Sequence, residues 1–134
     1  MTIISSDGRY SIPMGGVAVW DTLCATIRVR LKDSKKELSH VFAFIEKEKC
    51  KNKDCMETAK EFNLVRDALS RLDPSQIVYD EKDPSKLPPW GNDISPVITS
   101  CGNYLTTGDG NDLLAEIVKI LVIAAYTKAD VEIT

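Results

Sequence analysis

The stretch Leu113-Leu114-Ala115-Glu116-Ile117-Val118-Lys119-Ile120-Leu121-Val122-Ile123-Ala124-Ala125-Tyr126-Thr127, followed shortly by Val131-Glu132-Ile133, decides the fold. The first part predicts a helix over about 111–127, capped by Asp109 or Asn111. Its apolar residues occupy most sides of the helix, the mark of a segment buried centrally. The run Ile117 to Tyr126 is broken by Lys119, and it falls short of the roughly 20 residues of a membrane span. The tail alternates apolar and polar side chains, the period of a half-buried strand. A buried helix beside a strand predicts an α+β fold: about four helices packed against a small, mostly antiparallel sheet, in a single pair of layers.

The rest of the chain supplies the partners. Asp7-Gly8 lies between Ile3-Ile4 and Tyr10-Ser11-Ile12, and Asp-Gly favours the positive φ of a tight hairpin turn. Strands are expected near 2–5 and 9–13. Trp20, Leu23, Cys24, Ile27 and Leu31 form one apolar face of a helix over 17–31. Ser34 with Glu37 fits a capping box, which opens a second helix buried through Leu38, Val41, Phe42 and Ile45. The lysine-rich run 46–54 reads as a polar connector or a frayed helix end. Asp54 with Glu57 marks a third helix, ending near Leu72 before Asp73-Pro74. Gln76 to Tyr79 reads as a short β-type run, and Tyr104 to Thr107 as another. Between them lies the loop Asp83-Pro84-Ser85-Lys86-Leu87-Pro88-Pro89-Trp90-Gly91.

At 134 residues the chain fits one domain, 1–134, with one core. Its hydrophobic fraction of 43% and charged fraction of 28% are ordinary for a folded protein. The net charge of −3 implies no partner by itself, but the charge is uneven. Residues 1–54 carry ten Lys/Arg against seven Asp/Glu, whereas 55–134 carry seven against thirteen. From Asp67 to Asp112 there are eight acidic and three basic residues. That segment repels nucleic acid and suits a basic protein, or is simply a solvated acidic surface. The opening Met-Thr-Ile-Ile-Ser-Ser-Asp has no basic n-region and no long apolar run. The expectation is a cytoplasmic protein whose four cysteines, Cys24, Cys50, Cys55 and Cys101, stay reduced.

Catalytic signals are weak. His40 is the single histidine, on the polar side of the second helix, so a metal pair is absent and a structural or surface role is expected. Cys50 and Cys55 are too few for a structural zinc site. Nearby lysines could activate one of these thiols, while Cys24 and Cys101 read as small buried apolar residues. Gly108-Asp109-Gly110 does not complete a phosphate-binding turn or a calcium loop. Asp80, Glu81, Asp83, Asp93, Asp109 and Asp112 include possible acid/base pairs, but no pair stands out. No catalytic residue, cofactor or metal is expected. The loop ending in Trp90 is the most informative segment. Its prolines stiffen it, and its indole either plugs the edge of the core or anchors a protein contact.

Ile77-Val78-Tyr79-Asp80, Leu87-Pro88-Pro89-Trp90-Gly91-Asn92, Ile94-Ser95, Ile98-Thr99 and Asn103-Tyr104-Leu105-Thr106-Thr107 with Asp109-Gly110 together resemble the immunity protein 70 family. The resemblance covers roughly 76–133. Its most specific element is Pro-Pro-Trp-Gly followed about a dozen residues later by Asn-Tyr-x-Thr. Leu105 stands where an aromatic residue is expected, and Gly108 where serine is more usual. The resemblance implies an immunity protein of a contact-dependent growth inhibition system. Such a protein would bind the C-terminal domain of a cognate toxin, such as a tRNase or another nuclease, one to one as a monomer, touching neither nucleic acid nor membrane. The candidate toxin-binding residues are Asp80, Glu81, Asp83, Trp90, Asp93, Tyr104, Asp109 and Asp112. The alternatives are a small carboxylate-dependent hydrolase and a structural subunit of another complex.

Overall fold

A computed structural model describes all 134 residues, Met1–Thr134. The hairpin forms as its Asp-Gly turn dictates. Strand β1 (Thr2–Ser5) pairs antiparallel with β2 (Ser11–Pro13), and Gly8 takes φ 72 in the turn between them. The C-terminal tail is β4 (Val131–Ile133), laid antiparallel on the other side of β1. A two-residue strand, β3 (Lys49–Cys50), pairs with β4 and completes the order β2-β1-β4-β3. Pairing is antiparallel throughout. Strand alternation sorts the residues: Ile12, Ile3 and Ile133 form one buried cross-strand row, and Ser5, Val131 and Cys50 the next.

Four α-helices build the rest of the core, and α2, α3 and α4 touch the sheet. They are α1 (Val17–Arg30), α2 (Ser39–Lys47), α3 (Asn52–Ser70) and α4 (Leu113–Thr127). The architecture is therefore α+β, with the expected four helices. Helix α4 buries Leu113, Leu114, Ile117, Ile120, Leu121 and Ala124, packs mainly along α3, and also touches β1, β2 and β4. It is the central element of a continuous core of 31 residues. Trp20 of α1, Phe44 of α2 and Phe62 of α3 pack edge to face in series, with ring centroids 6.0 Å apart at both contacts. Burying each such ring stabilises the fold by about 1.5–3 kcal/mol before its own entropy loss is counted.

Several expected boundaries moved, each because another group supplies the capping interaction. Helix α2 starts at Ser39, not at Ser34. A short 3-10 turn, Lys32–Ser34, occupies the expected start, and Leu38 precedes the helix without a side-chain cap. The α2 N-terminus is capped instead by Glu61, reaching across from α3. Its Oε1 accepts from the backbone N–H groups of His40 at 2.8 Å and Val41 at 3.1 Å. Asp54 lies in the first turn of α3 and does not cap it. Asn52 opens that helix: its backbone N–H donates to Asp130 at 2.8 Å, and its side-chain amide donates to the carbonyls of Ala124 and Ala129. Helix α4 is capped by Asp112, which accepts from the Ala115 N–H at 3.3 Å, in place of Asp109 or Asn111.

The connector 46–54 contains β3, an edge strand too short and too lysine-rich to show an apolar period. Conversely, the β-type runs at 76–79 and 104–107 are not strands. Pro74–Gln76 is a 3-10 turn, and the Val78 N–H donates to the Thr26 hydroxyl at 2.9 Å rather than to a neighbouring strand. The second run retains one isolated bridge, Thr106 to Asp112. From Asp73 to Asp112 the chain is thus an irregular segment with only two short 3-10 turns, Pro74–Gln76 and Cys101–Asn103. Long irregular stretches inside a folded chain are where binding function concentrates.

Candidate functional site

The irregular segment is held down at defined points. At its start, α1 has two buried faces, not the single face its apolar period predicts. Thr22 and Thr26 are buried, and the Thr26 hydroxyl donates to the Thr22 carbonyl at 2.8 Å while accepting from Val78. The Ile77–Val78 run closes over that second face, and Arg30 Nε donates to the Gln76 carbonyl at 2.8 Å. At the far end, the Asn103 side chain knots the loop. Its Oδ1 accepts from the N–H groups of Thr99 and Ser100, and its amide donates to the Val97 carbonyl at 2.9 Å. Gly102 sits so close to α3 that an added Cβ would lie 3.1 Å from the Ser70 backbone nitrogen.

Between these anchors stands the aromatic loop. Pro88 is buried, Gly91 takes φ 60, and the Gly91 N–H donates to the Pro88 carbonyl at 2.8 Å, so Pro88 to Gly91 forms a tight turn. The turn presents Trp90, 41% exposed. Trp90 Nε1 donates to the Tyr104 hydroxyl at 2.6 Å, and the indole meets Tyr79 edge-on with centroids 6.0 Å apart. The indole is therefore fixed at its polar edge while part of its surface stays free, which suits a preorganised contact residue. Leu87 and Val97 of the same segment are also exposed, at 58% and 75%. Beneath the loop lies a cleft of about 150 Å³, bordered by Arg30, Ile77, Leu87 and Tyr104.

The acidic candidates do not form one patch. Asp80, Glu81 and Asp83 share the loop after Tyr79. Asp80 accepts from the Lys82 N–H at 3.0 Å and lies 4.0 Å from the Lys86 ammonium. Glu81 lies 3.7 Å from Arg28 of α1. Asp83 accepts from the Ser85 N–H at 3.3 Å and hydroxyl at 2.6 Å. Asp73 makes the same two bonds to Ser75, whose hydroxyl donation holds its carboxyl below the usual range. Asp93 is exposed in the turn after Trp90, where its N–H donates to the Trp90 carbonyl. Asp109 accepts from the Thr107 hydroxyl in the turn before α4, and Asp112 caps that helix. Asp112 lines a groove with Arg66, Asp67 and Asn103, whereas Asp80 and Glu81 line one with Asp21 and Arg28; the two grooves share no residue.

The structure therefore brings Trp90 to Tyr104, and Asp80 to Glu81 and Asp83, keeps Asp112 with a separate groove, and leaves Asp109 in the turn before α4. Two residues join the candidates from the structure alone. Tyr79 supports the Trp90 ring, and Asp21 faces the groove with Asp80 and Glu81. Tyr79 lies within the motif Ile77-Val78-Tyr79-Asp80, but its contact with Trp90 depends on the fold of the whole loop. Asp21 carries no local signal beyond being a polar residue on a mostly buried helix.

Elsewhere, the His40 Nδ1 lies 2.5 Å from Glu61 Oε2, and that hydrogen bond holds the imidazole pKa above its ordinary value. All four cysteines are free and buried. Burial pushes Cys24 up to about 12 and Cys101 up to about 11. No group of three or more His, Cys, Asp or Glu side chains is arranged to hold a metal ion. No helix is long and apolar enough to cross a membrane.

Comparison with curated proteins gives no match, and comparison with solved structures gives none. The family model of immunity protein 70 matches residues 8–133. That span includes β2, α1, α2, β3 and α3, well beyond the 76–133 region that carries the motif resemblance. With nearly the whole chain matched, this protein belongs to the immunity protein 70 family.

Proposed function

We propose that this protein is a non-catalytic antitoxin-like inhibitor. It binds the C-terminal toxin domain of a contact-dependent growth inhibition system and covers that domain's active or substrate-binding surface. The observation that carries the reading is the family match over residues 8–133. The aromatic loop is the face best suited to the task, because Trp90 is held rigid and partly exposed beside Leu87. A rigid aromatic ring loses little freedom on binding, so more of its buried area counts toward affinity. The carboxylates of Asp80, Glu81, Asp83 and Asp93 around it favour a basic partner. A nuclease such as a tRNase fits, since its substrate face must attract phosphates. The single folded unit, 1–134, acts in the cytoplasm as a monomer at one to one, without cofactor.

The test is co-expression with the toxin domain encoded at the same locus, followed by purification of the complex. Growth should be restored, and the two chains should co-elute in equal amounts. The combined variant Asp80→Asn, Glu81→Gln, Asp83→Asn keeps the turn acceptors but removes three charges. It should slow association and weaken protection while the fold persists. Persistent toxicity despite soluble wild-type protein would contradict the reading.

A further inference from the structure

A second surface lies away from the aromatic loop and has the opposite charge. A pocket of about 420 Å³ opens between α2, β3 and the start of α3. Its rim carries Lys47, Lys49, Lys51 and Lys53, against one carboxylate, Asp54. Half-buried Ala43 of α2 and the aliphatic stems of the lysines contribute apolar surface, with the buried Phe44 ring behind them. None of the four lysines forms an ion pair within the chain, although Glu132 is the cross-strand partner of Lys49.

The placement of these cations is locally unfavourable. Lys51 is the residue immediately before α3, and Lys53 lies in its first turn. A helix N-terminus repels positive charge and welcomes negative charge. Lys49 alone would serve to blunt the β3 edge against unwanted strand pairing. The edge strand does not account for Lys51, Lys53 or Lys47. Asp54 and Asp130 stand at that helix end, yet neither forms an ion pair with Lys51 or Lys53, so the ammonium groups around the pocket stay available to a partner's carboxylates.

We propose that this lysine-rimmed pocket is a docking site for an acidic segment of a partner protein. Carboxylates would meet Lys47, Lys49, Lys51 and Lys53, while an apolar side chain would enter against Ala43 and the aliphatic stems of the lysines. Two features favour a peptide over a nucleic acid: an apolar patch without an exposed aromatic ring for base stacking, and a concave pocket in place of an extended basic track. The site is independent of the toxin reading, since it takes its partner through different residues and charge of the opposite sign.

The test is fluorescence anisotropy on the full chain at low salt. The probes are fluorescein-labelled Glu-Glu-Leu-Phe-Glu-Glu, its counterpart Gln-Gln-Leu-Phe-Gln-Gln, and a short single-stranded oligothymidylate. The acidic peptide should bind best and weaken as salt rises. The double variant Lys51→Glu, Lys53→Glu should weaken it by at least about tenfold, whereas Lys119→Glu on α4 should not. Glutamate suits a helix N-terminus, so the double variant should keep its fold, checked by circular dichroism. Lys51→Gln, Lys53→Gln gives a milder version of the same test. Four results would overturn the proposal: no binding by wild type, equal binding of the glutamine peptide, tighter binding of the oligonucleotide, or undiminished binding by the folded variants. None of them bears on protection against a toxin through the aromatic loop.

Discussion

Trp90 and Tyr104 are joined by one hydrogen bond, indole N–H to phenol oxygen at 2.6 Å, across the whole of the irregular loop between them. Tyr104 is 8% exposed and belongs to the core, whereas Trp90 is 41% exposed. The bond therefore ties a surface ring to the folded interior. Tyr104→Phe should keep the packing and lose the tie. Water can reach the freed indole N–H, so the loss should be about 0.5–1.5 kcal/mol, or a fall in Tm of a few degrees. Trp20 is 2% exposed and shielded from quencher, so acrylamide quenching reports on Trp90. Quenching should increase in the variant. Unchanged quenching would show that Tyr79 and the turn alone hold the ring.

Phe44 is the middle ring of the series Trp20, Phe44, Phe62 and is 1% exposed. Phe44→Ala removes both edge-to-face contacts and leaves a cavity where α1, α2 and α3 meet. The expected loss is about 3–5 kcal/mol, a large share of the ~5–15 kcal/mol typical of a domain. Phe44→Leu should cost clearly less, because it refills most of the volume. Urea denaturation followed by far-UV circular dichroism measures both. Similar losses for the two variants would mean that the site relaxes around the missing ring.

The elements that can be read in the sequence are those whose signal is local. The apolar periods of α1, α3 and α4 and the Asp7-Gly8 turn need no distant partner to be recognised. What stays hidden depends on contacts between distant residues. The α2 start is set by Glu61 from α3, so Ser34 and Glu37 mislead. Strand β3 exists because β4 offers an edge to it, although its own two residues carry no strand pattern. At the candidate site, proline, tryptophan and glycine reveal a stiff loop, but not that Tyr79 and Tyr104 hold its ring. The acidic residues read as one group because they crowd together in sequence. The fold instead leaves Asp80, Glu81 and Asp83 after Tyr79 and commits Asp112 to the α4 cap.

Four free thiols are present, and their burial sets an order of reactivity. Burial raises Cys24 and Cys101, and Cys55 is raised chiefly by its hydrogen bond with Cys50. Cys50 is lowered, mainly by that same bond, with the Thr58 hydroxyl 3.4 Å away assisting. Native protein treated with a thiol-reactive disulfide reagent at neutral pH should react slowly at all four sites, because access is limited to local opening. Cys50, 5% exposed, should be the first to label, and Cys50→Ala should remove that earliest phase. Fast stoichiometric labelling of Cys24 or Cys101 would contradict the packing described for α1 and the Cys101–Asn103 turn.

His40 and Glu61 make stability depend on pH with a definite sign. The Glu61 hydrogen bond raises the His40 pKa above its ordinary value near 6.5. A raised folded-state pKa favours folding while the imidazole is protonated in both states. The contribution is thus complete below about pH 6.5 and is lost as pH rises through the folded-state pKa. The His40 side chain is 39% exposed, so solvent screens the pair and the effect is modest. Glu61→Gln keeps an oxygen to accept from the His40 and Val41 N–H groups but loses the charge. The variant should therefore lose most, relative to wild type, between about pH 5 and 6.5. Above the folded-state pKa the gap should narrow to the pH-independent interaction of the carboxylate with the α2 N-terminus. Because His40 is the single histidine, its ring protons give one unambiguous NMR titration. An upward-shifted midpoint in wild type that returns toward the ordinary value in Glu61→Gln supports the linkage; identical midpoints would refute it.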